Sequence, residues 1–196
     1  AEGYLTLLGI APTDPATGYG YIEPGELLCT GAKPDVCPHR VSRFVEKPDQ
    51  ANAALFVEAG YLWNGGMFIF RASAFIEMLA RYQPEIHQAI FLLNGSNLTE
   101  VYARMPNLSM DYGLAEKADK VAVVAADMDW SDLGSWDSIY HRHTKDATGN
   151  LQHGEVVSMD TQNSLLWSSQ GMLATLGLNN IAVIQTADAT LVCDRS

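Results

Sequence analysis

Near Gly149 the texture of this 196-residue sequence changes, and that change limits the folds open to it more than any other feature. Before it, apolar runs such as "YLTLLGI" from Tyr4, "MFIF" from Met67 and "VAVVAA" from Val121 alternate with stretches of helical period. Near-continuous apolar strands separated by helices are covered on both faces, which predicts an α/β layered fold with a mixed or mostly parallel sheet. After it come the short β-prone runs "GEVVSM", "SLLWSS", "MLATLGL", "IAVIQT" and "TLVCD", with turn residues between them and hardly a helical period. The prediction is therefore two parts: residues 1–148 as an α/β domain or part of one, and 149–196 as a small β-rich segment, for which a β-helix-like coil is open.

Punctuation within the first part is readable. Pro48 ends the strand in "VSRFVEKP", because proline has no N–H to give a sheet ladder. Asp49 then stands where an N-cap belongs, for a helix over 50–59 that Gly60 stops. Further helices are expected over 72–82, 84–93 and 98–105, and Ser109 or Asp111 can cap one more in "YGLAEKA". "WNGG", from Trp63, reads as a turn leading into the strand Met67–Phe70.

Composition removes several classes of function. A hydrophobic content of 47% supports a buried core, and a formal net charge of −11 argues against nucleic acid or an anionic membrane as the main partner. The apolar runs fall far short of the roughly 20 residues that span a bilayer, and no basic and apolar leader opens the chain. Cys29, Cys37 and Cys193 match no common zinc spacing, so free thiols in a reducing cytoplasm are expected. Since the sequence runs directly into "GYLTLLGI", which reads as a core strand, it is also expected to be a piece of a longer protein.

Four clusters place polar groups at strand ends, where open α/β sheets bind ligands. In "TGYGYI", from Thr17, glycines permit close backbone approach and tyrosines can line a sugar or a base. In "FVEKPD", Glu46 is an acceptor-only group suited to sugar hydroxyls, while Lys47 offers a compact positive charge for a phosphate. These neighbours can serve one ligand only if the strand ends and twists at Pro48. In "WNGGMF", Asn64 both donates and accepts, which suits adjacent hydroxyls. In "ADMDWSDLGSWDS", from Ala126, Asp132 lies between two tryptophans ahead of a helix in "GSWDSIYHR". Hard oxygen donors select Mg²⁺, which takes only one or two protein carboxylates. Asp127 and Asp137 read as helix caps or solvated neighbours. His141 and His143, two apart, cannot share a helix face, which leaves no zinc site there. Taken singly, each cluster is also what an ordinary turn, strand end or capped helix contains.

Taken together and in this order, "TGYGYI", "FVEKP", "WNGGMF", "SMDYGLAEK" and "WSDLGSW" resemble the bacterial mannose-1-phosphate guanylyltransferases, across nearly the whole chain and into its β-rich tail. The resemblance implies a Rossmann-like nucleotide-diphospho-sugar transferase fold, a mixed sheet flanked by helices. It implies the formation of GDP-mannose and pyrophosphate from GTP and mannose-1-phosphate, for polysaccharide precursors, in a cytoplasmic homo-oligomer, a dimer. By the same resemblance Tyr19 and Gly20 line the sugar pocket, Glu46 and Asn64 hold mannose, and Lys47 approaches the phosphate. Asp111 flanks the pocket, and Asp132 is one of two Mg²⁺ carboxylates; Lys47 and Asp132 are the catalytic candidates. Gly65 and Ala115 depart from the family's more usual serine and methionine. The family's glycine-rich nucleotide loop and its G-D-H segment are not in this sequence, which implies that roughly a hundred preceding residues lie outside it. Two rivals stand: a sugar-1-phosphate nucleotidyltransferase using UTP or dTTP, and a non-catalytic subunit that senses nucleotide sugar.

Overall fold

The computed structural model describes residues 3–29, 37–94 and 96–195. They divide into two compact units, Ala1–Trp130 and Ser131–Ser196.

In the first unit, β1 (Leu5–Ile10), β2 (Tyr21–Leu27), β3 (His39–Val45), β4 (Leu62–Ile69) and β5 (Val121–Ala125) close on one another in the order β1-β4-β2-β3-β5. The sheet is mixed: β1 and β5 run parallel from Leu5 opposite Val121 to Gly9 opposite Ala125, and the other ladders are antiparallel. Leu7, Ile22, Phe44, Val121 and Val123 fill its interior. Gly9 allows that closure, since a Cβ there would stand 2.6 Å from Leu62 and 2.7 Å from Val123.

Helices α1 (Gln50–Glu58), α2 (Ala72–Tyr82), α3 (Pro84–Leu92) and α4 (Leu98–Arg104) fall where the punctuation places them. The Asp49 carboxylate accepts from Asn52 N at 2.8 Å, as an N-cap should. Two local expectations need correction. "YGLAEKA" forms a π-helical turn over Asp111–Ala115 and not an α-helix, with Ser109 ahead of it accepting from Tyr112 N at 3.4 Å as expected of a cap. "WNGG" is no turn but lies inside β4, where the register with β1 slips between Leu7 and Gly9. Leu7 faces Phe68 and Gly9 faces Asn64, so β4 holds the extra residues as a bulge, and Gly66 takes a φ of 70° within it.

The cysteine reading is corrected as well. Cys29 and Cys37 are joined as a disulfide with Cα atoms 5.9 Å apart, linking the end of β2 to the approach to β3. Cys193 is free and exposed. The spacing alone could not show this, because a hairpin decides which residues face one another.

In the second unit, α5 (Trp136–Arg142) precedes β6 (Leu151–Met159), β7 (Leu165–Leu176), β8 (Ile181–Gln185) and β9 (Thr190–Asp194). β6, β7 and β8 stack parallel, each residue facing one 14 or 17 positions further on, and β9 returns antiparallel on β8. Parallel strands joined through so few residues form a coil and leave no room for a helical crossover. Leu151, Leu165 and Ala182 line up from strand to strand, with Tyr140 and Ile184 completing the core. Buried Asn150 ties successive turns: it accepts from Ser164 N at 3.0 Å and donates to Thr161 O at 2.7 Å. Asp160, Asn163 and Asn180 turn the corners with φ of 48°, 50° and 56°, values that short polar side chains tolerate best. Among the described residues no helix is long and apolar enough to cross a membrane.

Candidate functional site

The first unit draws five separate segments to one point. β3 ends at Val45, and Lys47 takes a φ of 47°, so the chain turns sharply ahead of Pro48. On a continuing strand Glu46 and Lys47 would face opposite ways. Here Lys47 Nζ lies 3.7 Å from Glu46 Oε1. Two backbone bonds fasten this turn and the bulged β4 to the loop before β2: Lys47 N donates to Tyr19 O at 3.2 Å, and Asn64 N donates to Gly20 O at 2.7 Å. A Cβ on Gly20 would stand 2.5 Å from Glu46 Oε2 and 3.3 Å from Asn64 Cβ, so only glycine lets these side chains close over it.

From the other side, Asp111 Oδ1 accepts from Asn64 Nδ2 at 2.8 Å, while Asn64 Oδ1 accepts from Gly66 N at 3.1 Å. The bulge in β4 thus aims the Asn64 amide, and the π-helical turn presents Asp111 to it. The Tyr19 ring packs edge-on against Trp63 at 4.8 Å and Trp130 at 5.4 Å, as part of an aromatic wall, and its carbonyl holds Lys47.

Glu116 joins this cluster, and the sequence reasoning did not single it out. Its Oε1 accepts from Glu46 N at 3.2 Å, across 70 positions of sequence. Glu46 therefore feels the charges of two other carboxylates, Asp111 and Glu116, and of Lys47. Burial, then the charge of Asp111 and after it that of Glu116, push the Glu46 carboxyl above its ordinary value of 4.5, against the pull of Lys47. Glu46 Oε2 is buried and makes no hydrogen bond within the described chain. A buried acceptor without a donor is uncommon, and a hydroxyl-rich ligand would satisfy it.

Asp132 belongs to the second unit, in the exposed loop ahead of α5. That loop is bent by its own residues. Leu133 has a φ of 49° and donates its N–H to Ser131 Oγ at 3.2 Å. A Cβ on Gly134 would overlap the Asp132 carboxylate, so glycine is what lets the side chain fold back over the backbone. Ser135 caps α5, accepting from Ser138 N at 3.1 Å. Asp137 is more than a solvated neighbour: it meets Arg195 Nη2 at 2.6 Å and His141 Nε2 at 3.1 Å. His143 turns instead to Ile139 O. Among the described residues no three metal-ligating side chains gather. One hard carboxylate with a glycine beside it still suits Mg²⁺, which takes most of its oxygens from water and phosphates.

Residues 1–149 match the family described as nucleotidyl transferase, and residues 154–196 match the mannose phosphate isomerase/GMP-like β-helix domain. The chain belongs to the nucleotidyl transferase family. Among its relatives is the mannose-1-phosphate guanylyltransferase of Sinorhizobium fredii, 42% identical over 98% of this chain and 38% of that protein. That of Klebsiella pneumoniae is 37% identical over 99% of this chain and 43% of its own length. A crystal structure from Thermus thermophilus, described as a mannose-1-phosphate geranyltransferase, superposes with a TM-score of 0.85 at 37% identity. It is covered over 57% of its length, against 99% of this chain. The chain thus spans less than half the length of these two curated relatives. Both halves of the family reading agree with the architecture: a mixed sheet with helices, then a coil of parallel strands.

Proposed function

We propose that this chain carries the sugar-phosphate side of a mannose-1-phosphate guanylyltransferase, an enzyme that forms GDP-mannose and pyrophosphate from GTP and mannose-1-phosphate. The observation that supports it most is the buried, partnerless Glu46 Oε2 among Gly20, Asn64 and Asp111. That arrangement offers acceptors to a set of sugar hydroxyls, with Lys47, whose side chain is 60% exposed, able to swing toward a phosphate.

In the reaction an oxygen of mannose-1-phosphate attacks the α-phosphorus of GTP. One P–O bond forms, the bond to the β-phosphate bridging oxygen breaks, and pyrophosphate leaves. The protein needs no covalent intermediate; positioning and charge neutralisation supply the rate. Glu46 and Asn64 orient the sugar, Asp111 holds the Asn64 amide, and Lys47 offsets charge on the attacking phosphate. Asp132 is one of the carboxylates that would hold Mg²⁺, which when bound supplies neutralising charge to the phosphates. We expect the protein to act in the cytoplasm, where its nucleotide substrate is at hand, and as a homodimer.

The test is an assay of the full-length protein with each of GTP, UTP, dTTP and ATP, against mannose-1-phosphate and glucose-1-phosphate. GDP-mannose and equimolar pyrophosphate should form fastest from GTP and mannose-1-phosphate. Faster turnover with UTP or dTTP would overturn the base assignment. Binding of GDP-mannose with no pyrophosphate from any pair would favour a sensing subunit.

A further inference from the structure

The π-helical turn does more than present Asp111 to Asn64: we propose that Glu116, which closes it, is a positioning residue for Glu46. This rests on the reading of Glu46 as a contact to the sugar. The β2–β3 ladder reaches Tyr21 opposite Val45 and is extended by one bond, from Lys47 N to Tyr19 O at 3.2 Å. Successive backbone N–H groups of an extended chain point to opposite sides, so that of Glu46 faces away from β2. On that side β5 pairs with β3 only at His39 and Arg40, near its start. Glu116 takes the place of a strand there: its Oε1 accepts from Glu46 N at 3.2 Å.

The shape of the turn is what lets one segment reach both proposed sugar contacts. On an α-helix, residues five apart lie about 140° from each other around the axis. A π-turn closes between residues five apart, and here Glu116 N donates to Asp111 O at 3.0 Å. The wider turn brings the two residues onto one side, where Asp111 Oδ1 accepts from the Asn64 amide and Glu116 Oε1 from the Glu46 backbone. Gly113, Leu114 and Ala115 between them are buried, which seats the turn. The Glu46–Lys47 segment needs such support, because Lys47 holds a φ of 47°, a conformation a non-glycine residue keeps only where its surroundings fix it. The Tyr19 carbonyl grips this segment from one side and the Glu116 carboxylate from the other.

The test reads the KM values of the full-length protein for mannose-1-phosphate and for GTP. Glu116→Ala should raise the first about tenfold and leave the second within about twofold, the loss expected when a backbone N–H gives up a charged acceptor. Glu116→Gln keeps an oxygen that can accept from Glu46 N and should recover most of that loss, which a requirement for the negative charge alone would not allow. Tyr82→Phe removes the hydroxyl that accepts from Asp119 N at 3.1 Å, just beyond the same turn; it should lower the melting temperature and leave both KM values alone. An unchanged KM for mannose-1-phosphate in Glu116→Ala, an equal rise in both KM values, or a Glu116→Gln variant no better than Glu116→Ala would overturn the inference while Glu46→Ala still raises the KM for mannose-1-phosphate. An unchanged value in Glu46→Ala would instead sink the sugar reading itself.

Discussion

The chain gathers carboxylates in two places, and it builds them in opposite ways. Glu46 on one side, and Asp111 and Glu116 of the π-helical turn on the other, come from segments about 65 to 70 residues apart and are held by hydrogen bonds to Asn64 and to backbone, with one Glu46 oxygen buried and making no hydrogen bond among the described residues. Asp127, Asp129, Asp132 and Asp137 are close together in sequence, and Asp132 lies on an exposed loop shaped by one glycine and the helix after it. The first arrangement is preorganised by burial, and on the proposed reading it would select a ligand by the hydrogen bonds it leaves unmade. The second leaves its carboxylate exposed, which would suit the proposed Mg²⁺, a cation that retains most of its own hydration.

The largest effect should separate the two at once. If Asp132 holds Mg²⁺ as proposed, Asp132→Asn in the full-length protein removes a charge worth several kcal/mol to the reacting phosphates, so pyrophosphate release should fall by about two to three orders of magnitude with the fold intact. Near-normal turnover would mean that the exposed carboxylate has no metal role. Glu46→Ala should act differently: a lost hydrogen bond to a charged acceptor, about 1.5–3 kcal/mol, should raise the KM for mannose-1-phosphate roughly 10- to 100-fold and leave that for GTP within a factor of about two. An equal rise in both would remove the distinction between a sugar pocket and a phosphate site.

What was legible in the sequence follows the same division. Local signals held: Asp49 caps α1, Gly60 takes the left-handed conformation after it, and Ser135 precedes α5. Glu46 and Lys47, and Asn64 and Asp111, do lie together, as the family resemblance implies, while their roles rest on the proposal. Partners far apart in sequence were not legible. Glu116 accepts a hydrogen bond from the backbone of Glu46, a contact with no side-chain signature in the sequence. Asp137 looked like a cap because Arg195 is 58 positions away. Cys29 and Cys37 meet only because β2 and β3 pair. "WNGG" looked like a turn because a bulge uses the same glycines, and only the partner strand tells the two apart.

A smaller effect tests whether the second unit is anchored as described. Asp146 leads into the coil and accepts from Asn150 N at 2.9 Å, from Thr148 N and Oγ1 at 2.9 and 2.8 Å, and from Gln152 Nε2 at 2.7 Å. Burial raises its carboxyl, but the hydrogen bonds from Asn150, Thr148 and Gln152 outweigh that and leave it below its ordinary 3.8. A depressed value stabilises the fold above 3.8, and that stabilisation is lost as pH falls through the lower value. Asp146 is exposed, so water screens its charge and the loss rests on its hydrogen bonds: Asp146→Ala should lower the melting temperature at pH 7 by at most about 2–4 °C, the shift that roughly 1 kcal/mol of lost hydrogen bonding produces in a chain of this size. The difference from the parent should narrow in acid, and an unchanged melting temperature at pH 7 would show that the coil does not lean on this turn.

Glu46 carries the opposite sign, and this makes the finest test of the comparison. Its carboxyl is raised above 4.5 by burial and by Asp111, so the folded chain favours the protonated form. Its contribution to stability is greatest below 4.5 and is lost as pH rises through the raised value, and at pH 7 the folded chain bears a charge it holds less well than the unfolded one. Glu46→Gln keeps the shape and removes that charge, so the variant should melt a few degrees above the parent at pH 7 and together with it near pH 4. The same variant should bind mannose-1-phosphate more weakly, because half of the acceptor is gone. A gain in stability coupled to a loss of binding is what a site organised around its ligand produces. If Glu46→Gln instead melts below the parent at pH 7, the ionised carboxylate stabilises the empty fold, and the carboxylate cluster is a structural network like that around Asp146.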